Sequence, residues 1–480
     1  MLRFLSIVTL SQTTLVAQQL LILPLQIHVW GHDTVAVWLA ALALAAIVGS
    51  SDLGLKNAGF AAIAAGETGD KFATLWSVMR LQMLAAGLVT MGLSFLMFSG
   101  RIAPDQTIFL VILTASSIME NYLGIRTPFL EAFGRIAHAE SAFLAMVATR
   151  LGGGATLIYF LHAGPVVLSM LWLATACMAV FIQEQFREVR AVAPLFRRWK
   201  FSHVRETYAD ARWSAATPLV VWAQIHLPVI TLSSFAPSAI VSSFVALRTL
   251  YGLTRLIVQQ ISRIISIQYN KRVREIGADN ARAFLLLVAA GVAWLSAGAG
   301  LAIFAEKFWL TGPLFDIPKT PIVYLLILTL GISSTMSVHQ LFALSMAREG
   351  AFSTSGTANY MYFTGVAGTC GLAFLLSNMQ LLVVGLAVCD VMLLTLIVHF
   401  FLRGERGDLV RKALPTFALG MGLWVTLVGG GWSVLTKFGH PDLATPTLVT
   451  VAKSMALAFA AWLVGGAIYW SRAWPQSRAA

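Results

Sequence analysis

An all-α fold, threaded through a membrane by about fourteen helices, is what two features of this 480-residue sequence predict. Apolar residues make up 58% of the chain and charged residues only 11%, too few to cover the surface of a soluble protein this long. The apolar residues also come in charge-free runs, at 36–48, 84–98, 283–304 and 322–335. Lipid accepts such runs only as helices or closed barrels, because only these satisfy the backbone internally. No period-2 alternation marks barrel strands, so the runs read as helices.

Apolar stretches of at least about 18 residues predict spans at 4–29, 35–60, 76–98, 106–126, 139–162, 165–183, 215–235, 238–267, 283–304, 320–346, 355–377, 379–402, 413–435 and 447–470. The first is too long, and with Gln12, Gln18, Gln19 and Gln26 too polar, for a cleaved signal peptide. It is expected as a retained helix. A short polar break near Asn378 separates the eleventh span from the twelfth. The longest inner connection divides the chain into 1–183, a six-helix bundle; 184–214, a basic linker; 215–402, a second six-helix bundle; and 403–480, a loop with two further helices and a short tail.

The net charge of +12 does not point to nucleic acid, because the basic residues are scattered over short loops. With both termini cytoplasmic, inner loops and tails hold 21 Lys and Arg, including Arg187, Arg190, Arg197, Arg198, Lys200, Arg205 and Arg212 in one loop. Lys271, Arg272, Arg274 and Arg282 form a second basic loop. Outer loops hold only Arg101, Lys307, Lys319 and Lys437, so the positive-inside rule sets the orientation. Within the linker, 195–208 mixes Phe196, Trp199, Phe201 and Tyr208 with basic residues. It reads equally as a segment lying on the membrane surface or as an ordinary topogenic loop. Cys177, Cys370 and Cys389 stand singly in apolar runs, without metal or disulfide spacing, and are expected in the core.

Outer loops this short leave no room for an external catalytic domain, so function is sought among ionisable residues inside the spans. Arg248 and Arg255 are seven residues apart, about 700° of helix rotation, and share one face that Gln259 continues. Arg255 lies about 25 Å along the axis from the outer boundary, too deep to snorkel outward. Arg150 sits near the middle of the fifth span. These arginines either line a cationic cavity for an anionic substrate or neutralise intramembrane carboxylates such as Glu120 or Asp390.

Asp52 and Lys56, spaced i,i+4 around Gly54, are candidates for an ion pair, a gate or a cavity rim. Asp390, in the twelfth span, either pairs with an arginine or takes up a proton or sodium ion. Gln12, Gln19 and Gln26 recur every seven residues along one face of the first helix. Such a stripe suits either a hydrated wall that contacts sugars or interhelical hydrogen bonds. Gln224, His226, His339 and Gln340 extend the polar set, with packing roles favoured. No Walker A sequence and no paired-cysteine pattern occurs. If transport is the function, it is expected to be driven by a proton or sodium gradient, by the membrane potential or by the substrate's own gradient, without a bound cofactor.

The segment Ser51-Asp52-Leu53-Gly54-Leu55-Lys56-Asn57-Ala58 resembles the "DLGL-x-N/S-A" motif of polysaccharide exporters in the MOP flippase superfamily, the O-antigen (Wzx-type) flippases among them. Gln224–Val229 resembles their "Q-x-x-x-P-V" stretch, which leads into a long helix with an arginine, here near Arg255. Lys56 replaces the usual small polar residue, and Ser234–Ser238 lacks the usual glycine-containing turn. The resemblance implies fourteen helices and a monomer in the bacterial inner membrane. It also implies export of an oligosaccharide linked to undecaprenyl pyrophosphate, for O-antigen, capsule or exopolysaccharide. Partners so implied are a polysaccharide polymerase and chain-length or export proteins. The family's basic cavity carries over to Arg150, Arg248 and Arg255. A pyrophosphate head suits arginine, whose planar fork makes bidentate, charge-assisted contacts.

Two other classes compete. An ion-coupled drug or small-molecule antiporter of related fold needs an acidic intramembrane cation site, and here the arginines outweigh the carboxylates. A membrane polysaccharide polymerase needs a substantial loop for its active site, which the short outer loops do not provide.

Overall fold

The computed structural model describes residues 2–51, 54–55, 70–98, 107–132, 136–185, 202, 205, 216–277, 280–282, 284–289, 291–293, 296, 315–318, 320–348 and 352–402. Among these every regular element is helical: α1 (Leu2–Ala45), α2 (Ile47–Ser50), α3 (Asp70–Phe98), α4 (Ile108–Ala132), α5 (Ile136–Leu161), α6 (Pro165–Glu184), α7 (Ala216–Ile225), α8 (Leu227–Phe235), α9 (Ser238–Ile276), α10 (Pro321–Met336), α11 (His339–Arg348), α12 (Phe352–Leu376) and α13 (Met379–Leu402). Seven described stretches are long and apolar enough to cross a membrane, including Pro165–Glu184 and Met379–His399. The fold is all-α and polytopic. The spans at 413–435 and 447–470 lie outside the described residues.

Several expected boundaries have local chemical causes. Gly31, at φ 75° and ψ 166°, breaks the path of α1 between the first two expected spans, a conformation with little steric cost only for glycine. Gly164 and Pro165 start α6, with proline in the first turn where its missing N–H removes no bond. Ser377 at φ 47° and Asn378, whose Oδ1 accepts from Leu381 N at 2.9 Å, separate α12 from α13 as the polar break there predicts.

Two expected spans are each found as one stretch long and apolar enough to cross, Pro218–Phe235 and Pro321–Ala343, but each is broken within. The stretch 215–235 is not one helix, because Pro228 has no N–H to offer the Gln224 carbonyl, and the chain breaks at His226 between α7 and α8. The stretch 320–346 breaks at Ser337–Val338, where the Ser337 hydroxyl donates to Ser334 O and competes with the helical ladder. Conversely, α9 runs to Ile276 and ends at Gly277, φ 83°. Lys271, Arg272 and Arg274 are thus helical rather than in a loop. Over 35–60 the chain is helical to Ser50 and again at Leu55, with Gly54 at φ 79°, and 52–53 and 56–60 lie outside the described residues.

The chain divides into two compact units: Met1–Ala246 with Asn359–Leu382, and Leu247–Ala358 with Val383–Ala480. In the first, α1 packs on α5 and α8, and α4 packs on α3 and α6. Its core centres on Trp38, which lies edge-on to Trp30 and Trp172 with ring centroids 5.6 and 6.0 Å away and stacks on Phe109 at 6.0 Å. Trp30 Nε1 donates to Ala163 O at 2.8 Å, and Asn121 Nδ2 reaches Val48 O at 2.7 Å beside the end of α2. Buried tryptophan and asparagine polar atoms thus find backbone carbonyls exposed where helices end. In the second unit Phe401 packs against Tyr269 and Phe342, with centroids 6.3 and 5.3 Å apart, and Arg282 lies over its ring at 5.4 Å.

Candidate functional site

Arg150 lies on α5 where that helix meets α4 and α6 through α6's Trp172 and Thr175 and α4's Ser116 and Glu120. Its side chain is buried, and its guanidinium is richly partnered. Nε donates to Thr175 Oγ1 at 2.9 Å, and Nη2 lies 2.8 Å from both Glu120 Oε1 and Trp172 O and 3.3 Å from Ser116 Oγ. Ser116, one turn before Glu120, donates to the same Oε1 at 3.0 Å. The Trp172 ring faces the cation at 5.1 Å, which ties this network to the aromatic core. Each buried N–H left unmet costs about 1–3 kcal/mol, so this partner set is what lets a guanidinium sit here. Of the two sequence readings of Arg150, neutralisation of Glu120 is the one the geometry matches.

A second cluster joins α3, α4 and α6 at the start of α3 and the ends of α4 and α6. Arg126 and Arg80 both donate through Nη2 to the Tyr122 hydroxyl, Arg80 at 2.9 Å. Arg126 Nη2 also pairs with Glu184 Oε1 at 2.8 Å. Arg126 lies over the Tyr122 ring at 4.0 Å, and Arg80 stands 5.1 and 5.3 Å from the Trp76 and Tyr122 rings. Arg126 is only 3% exposed, yet its Nε and Nη1 have no hydrogen-bond partner, and neither has Arg80 Nε. Glu184 is 47% exposed. Sequence reading passed over this cluster although it carries a signal: Trp76–Arg80 and Tyr122–Arg126 are each an aromatic–arginine pair at i,i+4.

The second unit brings together α9, α10, α11 and α13. Arg248, Tyr251 and Arg255 follow one another along α9, and the Tyr251 ring packs beside Gly331 of α10. Arg248 and Arg255 are both half-buried, seven residues apart on α9. His339 is buried at the α10–α11 break, where Nδ1 donates to Met336 O at 2.9 Å. Two residues beyond Gly331, the Ser333 hydroxyl donates to Asp390 of α13. Asp390 is 4% exposed. A helix interrupted at depth and flanked by ionisable side chains is the pattern of binding sites in transporters built from broken helices.

Other expected site residues are dispersed or lie outside the description. On α1 Gln26 and Gln18 are buried while Gln19 is exposed, so these side chains divide between interior and surface, with Pro24 between Gln19 and Gln26. The side chains of Gln12 and Gln259 lie outside the described residues, as do Asp52, Lys56 and the linker residues 195–208 apart from Ser202 and Arg205. Among the described residues no group of three His, Cys, Asp or Glu is placed to hold a metal.

The fold is similar to those of solved membrane transporters at low sequence identity. The chain is similar to the lipid II flippase MurJ in an inward closed conformation, with a TM-score of 0.68 at 10% identity over 98% of this chain and 99% of that one. It is also similar to an inward-facing multidrug resistance MATE family transporter, with a TM-score of 0.53, 13% identity and 86% and 95% coverage. A Vibrio cholerae MATE transporter gives 0.53 at 13% identity, over 85% and 99%. No family model and no curated protein sequence matches the chain.

Proposed function

We propose that this chain, a transporter and not an enzyme, flips a polyprenyl-pyrophosphate-linked oligosaccharide from the inner to the outer leaflet of the bacterial cytoplasmic membrane. It does so by alternating access, for exopolysaccharide, capsule or O-antigen synthesis. The observation that carries the reading is the end-to-end fold likeness to a protein named as a flippase of a lipid, at 0.68 against 0.53 for the MATE transporters above. The chemistry of the second unit supports it. Arg248 and Arg255, seven residues apart on one face of α9, are two cations to which an anionic headgroup can offer bidentate bonds. Arg150, in the first unit, supports that unit structurally through Glu120. Asp390, held by Ser333, is the residue for coupling to a proton or sodium gradient. The protein acts as a monomer, delivering substrate to a polymerase and to chain-length or export proteins.

A leaflet-resolved assay of the carrier lipid in a deletion strain tests this. Loss of the protein leaves the lipid-linked saccharide on the cytoplasmic leaflet while its synthesis continues. Normal outward movement, with redundant flippases excluded, sinks the assignment.

A second reading, an ion-coupled antiporter for small molecules, is favoured by the buried Asp390 and by the likeness to MATE transporters. Gradient-driven efflux of an organic cation by purified protein in vesicles, abolished by Asp390→Asn, would select it.

A further inference from the structure

The Arg126 cluster carries more donors than acceptors. A guanidinium offers five N–H groups. Those of Nη2 meet the Tyr122 hydroxyl and Glu184, while Nε and Nη1 meet nothing, in a side chain almost wholly buried. Arg80, the second cation on the same hydroxyl, also keeps a buried nitrogen without a partner. Among the described residues the carboxylate paired with Arg126 is Glu184, and it is the exposed member of that pair. Gln183, fully buried beside it in sequence, has no partner for either side-chain polar atom.

An aromatic floor of Trp76 and Tyr122, two arginines held on it, and a carboxylate able to swing outward make an anion site closed by an internal stand-in. A carboxylate presents two oxygens in a plane. A pyrophosphate esterified at both ends presents two non-bridging oxygens on each of two phosphates, four in all, and so can satisfy donors that Glu184 leaves unmet. The charge distribution places this end of the helices on the cytoplasmic side, since the basic stretch from Arg187 follows α6 directly.

We propose that Arg80 and Arg126, gathered on Tyr122, form a docking site for the pyrophosphate of a lipid-linked substrate, and that Glu184 occupies it until the headgroup displaces the carboxylate. The site is distinct from Arg248 and Arg255. Its role as the first contact on the flipping path rests on the proposed function, whereas its affinity for pyrophosphate does not.

The test uses full-length protein in nanodiscs, with farnesyl pyrophosphate as the lipid-borne probe and inorganic pyrophosphate as the soluble one. Arg126→Gln, at matched folded protein, weakens farnesyl pyrophosphate binding at least tenfold, and Arg80→Gln weakens it a few-fold. Glu184→Gln tightens binding several-fold because the competing carboxylate is gone, and this variant keeps the test open if Arg126→Gln does not fold. Unchanged binding in Arg126→Gln, or Glu184→Gln weakening it, overturns the site. Equal affinity for the two probes overturns the lipid assignment, because a headgroup site is expected to favour the prenylated anion. Binding through Arg126 by a protein that moves no lipid in the leaflet assay leaves the site standing and removes only the flipping role.

Discussion

Arg126 and Arg150 belong to the same unit, are about equally buried and each reach a carboxylate at 2.8 Å. By depth and pairing they look alike. They differ in how the rest of each guanidinium is met. Arg150 spreads its bonds over Thr175, Ser116, Glu120 and the Trp172 carbonyl, drawn from two neighbouring helices. Arg126 works through Nη2 alone and leaves two nitrogens buried and unmet. A cation bonded through Nε and Nη2 to four partners holds helices together and has fewer buried donors left for a ligand. An unsaturated one costs stability in the resting fold, and the cost is recovered when an acceptor arrives. Buried arginines in a membrane protein are therefore better sorted by their unmet donors than by their depth.

The largest effect that tests this contrast is expected at Arg150. Arg150→Met strands Glu120 and cuts three helix-to-helix bonds, with a loss of about 3 kcal/mol after allowing for the partial exposure of Glu120. It reads as reduced folded protein and a lower Tm in detergent. The double change Arg150→Met with Glu120→Gln recovers much of that loss, since no uncompensated charge remains. Full folding in the single variant would overturn the structural assignment.

Arg126→Met comes next. It breaks two bonds but also removes two buried, unmet nitrogens, so the net loss of stability is about 1–2 kcal/mol. Lipid movement falls further than folded protein does. A stability loss matching that of Arg150→Met would erase the distinction between the two sites.

Tyr122→Phe sharpens the comparison further by deleting the hydroxyl that both arginines share while keeping the ring beneath them. A Tm drop equivalent to about 1 kcal/mol is expected, with weaker pyrophosphate binding, because Arg80 and Arg126 lose their common anchor. The smallest effect belongs to Gly152→Ala, two residues from Arg150. A methyl there meets nothing within 4 Å, so the helix gains about 0.5 kcal/mol from reduced backbone freedom and the Arg150 network is untouched. A destabilised Gly152→Ala would mean that this stretch of α5 is more tightly packed than its open surroundings show.

Much of this organisation is legible in the chain. The apolar runs mark α6 and α13 almost to the residue, and the polar breaks at Gly31 and Asn378 fall where helices separate. Pro228 is visible in the sequence too, yet its consequence at His226 follows only from the position of the Gln224 carbonyl. The break at Ser337 is less legible. Serine and threonine are tolerated within apolar helices, and only the accepting carbonyls in the fold show which hydroxyl competes with the ladder.

The sequence by itself determined that this protein is helical and membrane-spanning, and that its costly ionisable residues are concentrated on a few helices. Burial of charge in lipid is so unfavourable that composition and spacing alone reveal it. Tertiary structure alone decided which partners those residues meet. Whether Arg150 reaches Glu120, whether Arg80 and Arg126 meet on one tyrosine, and whether Asp390 meets Ser333 depend on which helices pack side by side. Hydrogen bonds act over about 3 Å, and partners 30, 42 and 57 residues apart are brought within that distance only by packing.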